Sequence, residues 1–243
     1  MLKQYLIVSL VIVLSAISFV GFVKAASPEE EETAYVANFS YTPEKGAAHG
    51  SAGVAFAIGE LNYKTNYNNK KTWFMYQQFE NLDKAVKKDL ADLLTAKGFS
   101  VRGSFDSYDL IPYQDKKASD LYLLPTVELA IVFKPKKTSA VCTGDIEIDG
   151  KIYLELREII TRELMWTKNI PFSRIEIPYN IRIPNYVESK SYDLYPFIMD
   201  DVAKAIEKQY PELMATVYKL IDPEEMGILK RQCQELRSKK GYQ

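Results

Sequence analysis

One histidine, two cysteines and no excess of positive charge in 243 residues close off several classes of chemistry at once. The histidine, His49, sits in a glycine- and alanine-rich stretch, and no serine or cysteine nucleophile motif accompanies it, so a histidine-dependent hydrolase is not expected. That stretch, Gly46–Gly53, lacks the lysine of a phosphate-binding loop and leads into a strand-like run, which excludes a nucleotide cradle. The acids of Asp145-Ile146-Glu147-Ile148-Asp149-Gly150 imitate the start of a calcium loop, but the position that requires a bidentate glutamate is Leu156. No pair among the 32 acidic residues is marked out for acid–base hydrolysis. Cys142 and Cys233 stand 91 positions apart, a spacing no common metal site uses. A non-enzymatic protein without cofactor or metal is the expectation.

One long uncharged run is present. Tyr5–Val23 carries no charge over 19 residues, Lys3 precedes it, and Val23-Lys24-Ala25-Ala26 offers small residues for a signal peptidase. Residues 1–25 therefore read as a signal peptide or, at a length that just spans a bilayer, an uncleaved N-terminal membrane anchor. Residues 26–33, with Ser27–Thr33 acidic, read as a charged tether, and 34–243 as a single α/β envelope domain. Removing Lys3 and Lys24 leaves 29 basic residues against 32 acidic, which argues against a nucleic-acid partner. The expected location is exported, periplasmic or cell-surface and outer-membrane associated. In an oxidising compartment Cys142 and Cys233 are a candidate disulfide, with two separate buried thiols as the alternative.

The rest alternates between strand and helix patterns. Tyr35–Tyr41 and Val54–Ile58 read as strands. Phe79, Leu82, Val86, Leu90, Leu93 and Leu94 form one apolar stripe of a helix starting near Trp73, capped by Thr72 and closed by Gly98, and Phe99–Val101 begins another extended segment. Leu121–Lys134 is rich in β-formers, with Pro125 marking a bulge or edge. Asp145–Glu158 alternates on both sides of Asp149-Gly150, which predicts a hairpin turn there, and Glu163–Lys168 reads as a further strand. Val202, Ile206, Leu213, Val217 and Leu220 mark a C-terminal helix that Pro211 either kinks or restarts, and Asp222-Pro223-Glu224-Glu225 is a helix start. The predicted fold is α/β (α+β): a mixed sheet with a C-terminal antiparallel meander, one amphipathic helix after the second strand, and C-terminal helices packed on the sheet.

Seventeen tyrosines include many outside the apolar periodicities, among them Tyr63, Tyr108, Tyr113, Tyr179, Tyr186, Tyr192 and Tyr195. Tyrosine offers flat apolar area with a polar tip, suited to sugar or protein surfaces, or simply to a tyrosine-rich β protein.

Short matches point to a family. Lys97-Gly98-Phe99-Ser100-Val101 closing the helix, Asp115-Lys116-Lys117 ahead of Asp120–Leu124, "IVFKPKKT" over Ile131–Thr138, and "DPEEMGILKRQCQELRSKKG" over Asp222–Gly241 resemble the neuraminyllactose-binding haemagglutinin family of bacterial surface lipoproteins. The resemblance runs over Leu61–Gly241. It implies an adhesin that recognises sialylated sugars through a basic hexapeptide of the form KRTIQK. Lys136, Lys137 and Thr138 match its start with lysine in place of arginine; Ser139, Ala140 and Val141 depart from the rest. No cysteine stands where that family carries its lipid. The expected partner is a glycan or an envelope protein, with Lys136, Lys137 and Thr138 as candidate ligand-binding residues. The alternative is a structural subunit of an envelope assembly anchored by an uncleaved N-terminal helix. A third reading keeps the lysine pair structural, holding a strand end in water beyond Pro135.

Overall fold

A computed structural model describes residues 35–44, 53–65, 73–137, 139–183, 186–187 and 192–242. The apolar run at 5–23, the tether, His49 and Thr138 lie outside the described residues. Among the described residues, no helix is long and apolar enough to cross a membrane.

Two long strands organise the molecule. β4 (Leu121–Lys137) and β5 (Val141–Glu158) pair antiparallel along their whole length, from Leu121 opposite Glu158 to Lys137 opposite Thr143. Shorter strands fill in on either side. β1 (Ala55–Ile58) lies parallel to the start of β4, with β3 (Ser100–Ser104) outside it, and β2 (Asn62–Thr65) takes over beside β4 from Thr126 to Leu129. On the other side, β6 (Leu164–Pro171) pairs with the second half of β5 and β7 (Ile175–Arg182) with the first. This is the mixed sheet with an antiparallel meander that the sequence predicts. Pro125 sits between the β1- and β2-paired stretches of β4, where a residue with no N–H breaks no ladder bond on that side.

The alternation of β4 and β5 assigns their faces. Leu121, Leu123, Val127, Leu129, Ile146, Ile148, Ile152, Leu154 and Leu156 are buried beneath helix α1 (Leu82–Ala96) and helix α3 (Met199–Leu220). α1 contributes Leu82, Val86, Leu90, Leu93 and Leu94, at about 1.5–3 kcal/mol of burial each. The other face is polar over much of its area, with Glu147 pairing Lys134 and Arg174, and Lys151 pairing Glu128 at 3.3 Å. Near one end it is covered, where Ala57, Tyr122, Ile111 and Ile159 form a second small core with Phe105, Tyr108, Leu124 and Ile160. Short helix α2 (Tyr113–Ala118) lies next to it in sequence, and α4 (Pro223–Lys239) closes the chain. The Asp222 carboxylate caps α4 by accepting from the Glu225 N–H at 2.8 Å, as its sequence foretells.

Several local expectations are corrected. Asp149-Gly150 is no turn but the middle of β5; the chain reverses between Lys137 and Val141. Gly150 is required there because Leu129 and Phe172 pack over it, leaving a Cβ only 2.3 and 2.5 Å from their side chains. Tyr35–Tyr41 forms no strand among the described residues. Ala37 N–H donates to Gln78 O at 3.1 Å, and Phe39 packs edge-on to Tyr210, its burial coming from helices and loops instead of a neighbouring strand. The segment from Trp73 forms two 3-10 turns before α1 begins at Leu82, and Pro211 is accommodated inside one continuous α3. Gly98, at φ 83°, does end α1 as expected.

A buried polar contact joins α1 to α3. Tyr210 Oη donates to Asp89 Oδ2 at 2.9 Å, and Asp89 is 2% exposed. Burial pushes the Asp89 carboxyl above its usual range despite the Tyr210 hydrogen bond and the nearby Lys88. A carboxyl raised in the folded state favours folding while protonated, and that advantage is lost as pH rises through its folded pKa. Asp89→Asn keeps an acceptor for Tyr210 without the charge. Its urea midpoint relative to the parent is expected to improve between about pH 4 and pH 7. An unchanged difference across that range contradicts the assignment.

Candidate functional site

The two ends of the β4–β5 ribbon carry different chemistry. At one end lie the lysines that the sequence singles out. Lys136 Nζ pairs with Asp145 Oδ2 at 2.7 Å across the hairpin, and Lys134 pairs with Glu147. Lys137 is exposed in the last paired position of β4, opposite Thr143. Lys136 and Lys137 are therefore neighbours in sequence on the hairpin end, with one of the two held by a carboxylate.

The candidate disulfide does not form: both cysteines are free, buried thiols. Cys142 begins β5 opposite Ile181, and its Sγ donates to Ser139 O at 3.3 Å. Cys233 lies on α4 close to Glu158, Asp120 and Arg237. Cys142 and Glu158 stand near opposite ends of β5, about 50 Å apart at the rise of an extended strand. A disulfide bond requires the two Cα atoms to lie within about 7 Å. Burial, reinforced by the Glu158 charge, pushes the Cys233 thiol up to about 12, which keeps it unreactive. Peptide mapping without reductant is expected to find both thiols free, and a Cys142–Cys233 linked peptide contradicts the fold.

The far end of the ribbon holds a denser constellation that sequence reasoning missed. Asp120 precedes β4 and Glu158 ends β5, so the ribbon brings these two acids to the same end of the sheet. α4 then lays basic side chains over them. Lys230 Nζ donates to Gly53 O at 2.7 Å and approaches Asp120 Oδ2 at 3.5 Å, while Asp120 Oδ2 accepts from Ala55 N–H at 2.9 Å. Arg237 donates through Nε to Glu158 Oε1 at 2.6 Å and through Nη2 to Ser119 O at 2.7 Å. Glu158 is fully buried. Burial alone raises its carboxyl, but N–H donors of Thr161 and Ile160, the Thr161 hydroxyl and Arg237 outweigh it, and the net direction is down.

Outside this clasp lies a half-open cavity of about 190 Å³ lined by Tyr113, Lys117, Ile160, Arg237 and Tyr242. Its walls come from three separate elements. Tyr113 and Lys117 share a face of α2, the Lys117 ammonium 5.6 Å from the Tyr113 ring centre. Ile160 comes from the β5–β6 turn, where Arg162 is held in the left-handed region at φ 61°. Gly241, also left-handed at φ 75°, turns the chain after α4 so that Tyr242 N–H donates to Arg237 O at 2.9 Å, setting Tyr242 beside that arginine. Further cations flank the cavity: Lys116 and Arg162 approach the Tyr108 ring at 4.0 and 4.6 Å, and Tyr108 Oη donates to Ile159 O at 2.8 Å. The sequence signal was present in Lys116-Lys117 and in the surplus tyrosines, but their meeting depends on α4 reaching the end of β5. A second open cavity, about 110 Å³, is lined by Pro171, Phe172, Ser173, Gln209, Glu212, Leu213 and Thr216; it has one acid and no cation. Among the described residues, no group of three or more acidic, cysteine or histidine side chains is arranged to hold a metal ion.

No family model matches the chain, and no curated protein matches it. Among solved structures, the chain is similar to a neuraminyllactose-binding hemagglutinin homolog from Helicobacter pylori, at 18% identity and a TM-score of 0.58, over 82% of this chain and 99% of that one. The family resemblance thus holds as a remote likeness of fold. A protein from Xanthomonas campestris (12% identity, 83% of this chain and 98% of that one) and a lipoprotein from Neisseria meningitidis (10%, 64% and 99%) align at TM-scores of 0.37 and 0.27.

Proposed function

We propose that the chain is an exported cell-envelope protein of the adhesin-like type, which binds a glycan or protein partner and catalyses no reaction. The observation that carries this reading is the fold it shares with the hemagglutinin homolog over nearly the whole of that protein. The apolar run at 5–23 and the acidic tether support it, since they suit export of a domain that begins near residue 34. A surface cavity lined by tyrosines and cations supports it further, because such walls recognise a ligand without needing a reactive group.

The reading is tested with the purified full-length chain on an array of acidic and neutral glycans. Saturable binding to a defined glycan class is the expected result. A folded protein that retains no glycan, but crosslinks to defined envelope proteins in cells, replaces the adhesin-like reading with that of an assembly subunit.

A further inference from the structure

We infer that the end of the molecule formed by α2, the β5–β6 turn and the tail of α4 docks on an anionic lipid surface. This goes beyond the reading above and is tested separately from it. The cavity at this end, about 190 Å³, falls below the roughly 300–1,000 Å³ of sites that enclose an organic ligand, whereas a bilayer needs no enclosure. On a docked molecule the cavity opens onto the headgroup layer.

The apolar side chains come first. Leu110, Tyr113 and Tyr242 are 65%, 69% and 51% exposed, three of the five most exposed large apolar side chains among the described residues. Tyr113 and Tyr242 line the one cavity, and Leu110 stands three residues before Tyr113 in the chain. Core packing does not account for side chains this exposed. Tyrosine rings with polar tips, beside a leucine, suit the boundary between headgroups and acyl chains.

Charge then selects the kind of surface. Arg237 and Lys240 are paired with Glu158 and Glu163. Lys116, Lys117, Arg162 and Lys239 make no ion pair among the described residues, and the remaining acids of these segments are Asp109 and Asp115. Lys116 and Arg162 rest on the Tyr108 ring at 4.0 and 4.6 Å, a contact that positions both without neutralising them. The whole chain carries a formal net charge of −1, so a net positive end is a local feature and the rest of the surface is repelled by the same lipids. Charge complementarity thus sets both the partner and the orientation. Long lysine stems also let their ammonium groups reach phosphates while the tyrosines sit deeper. An acidic protein offers the same charge, but it needs a groove or a matched surface, and apolar tips around a small cavity favour lipid. The hairpin lysines differ, since Lys136 is already paired with Asp145.

The test is a lysine acetylation footprint, read by mass spectrometry, of the full-length chain on vesicles of phosphatidylcholine alone and of phosphatidylcholine with phosphatidylglycerol at about 3:1. The uncharged run at 5–23 meets both vesicles alike, so the comparison between them isolates the charge. Anionic vesicles are expected to slow acetylation of Lys116, Lys117 and Lys239 by about fivefold or more relative to neutral ones, and about 500 mM salt is expected to abolish the difference. Lys136 and Lys137, at the opposite end of the ribbon, are expected to change by less than about twofold. Lys117→Glu with Lys239→Glu is expected to remove the protection of Lys116. Lys136→Glu with Lys137→Glu changes the net charge by the same amount and is expected to keep it. All four of these side chains are exposed, and neither variant touches the Arg237–Glu158 clasp. Tyr113→Ala with Tyr242→Ala is expected to reduce protection by about threefold or more. Equal acetylation on the two vesicles overturns the inference. Protection of the hairpin lysines in place of Lys117 and Lys239, or its loss in the hairpin variant, overturns the site. Protection by soluble polyglutamate but not by anionic vesicles assigns this end to an acidic protein and overturns lipid docking. The glycan array tests the reading above independently of each outcome.

Discussion

Arg237→Met is expected to lower the free energy of unfolding by about 3–5 kcal/mol near neutral pH, the range found when one partner of a buried ion pair is removed. The arginine reaches from the last turns of α4 to a carboxylate with no exposed surface at the end of β5, and its second arm holds Ser119 O just before β4. It thereby ties α4 to both long strands. Methionine fills much of the volume but leaves Glu158 charged, buried and short of its strongest counter-charge. The pH dependence identifies the cause. In the parent, the Glu158 carboxyl is held low, so its contribution is present above the ordinary glutamate value of about 4.3 and is lost as pH falls through the lower folded value. In Arg237→Met the Thr161 and Ile160 N–H donors and the Thr161 hydroxyl remain but the guanidinium does not, so the carboxyl lies above its value in the parent and the difference from the parent shrinks in acid. Urea unfolding at about pH 7 and about pH 4 measures both. A loss under about 1 kcal/mol at neutral pH, as for an exposed pair, contradicts the clasp.

Gly150→Val is expected to cost about 3 kcal/mol or more. A Cβ at this position meets Leu129 Cδ2 at 2.3 Å, Phe172 Cδ2 at 2.5 Å and Glu128 O at 2.7 Å. The first two are side-chain tips that can shift, but the third is backbone of the paired strand, and overpacking that moves a ladder costs more than rotamer changes alone. The branched residue enlarges the clash further. Chemical denaturation of the variant gives the loss, and an effect within about 0.5 kcal/mol indicates that Gly150 faces open space.

Gly150 also marks the limit of what the sequence reveals. Asp-Gly between alternating runs carries the local signature of a turn, and only the approach of Leu129 and Glu128 on the paired strand and of Phe172, each more than 20 positions away, accounts for a glycine inside a strand. Local patterns were informative where one element decides the outcome. The stripe of α1, the left-handed Gly98 and the Asp222 cap were all legible because their partners lie within a few residues. The register of β4 against β5 was not. That register sets Glu158 beside the start of β4, and α4 adds Arg237, so the cavity unites residues from 113 to 242 that no spacing rule connects. The lysine pair at 136–137 stood out for the opposite reason, since consecutive charges are conspicuous in a sequence whether or not a carboxylate such as Asp145 already holds one of them.

The most direct measurement of the central claim is binding of the purified full-length chain on the glycan array. The account predicts that the folded protein retains a defined glycan class saturably. A folded protein that retains no glycan, and crosslinks in cells to defined envelope proteins, contradicts it in favour of an assembly subunit.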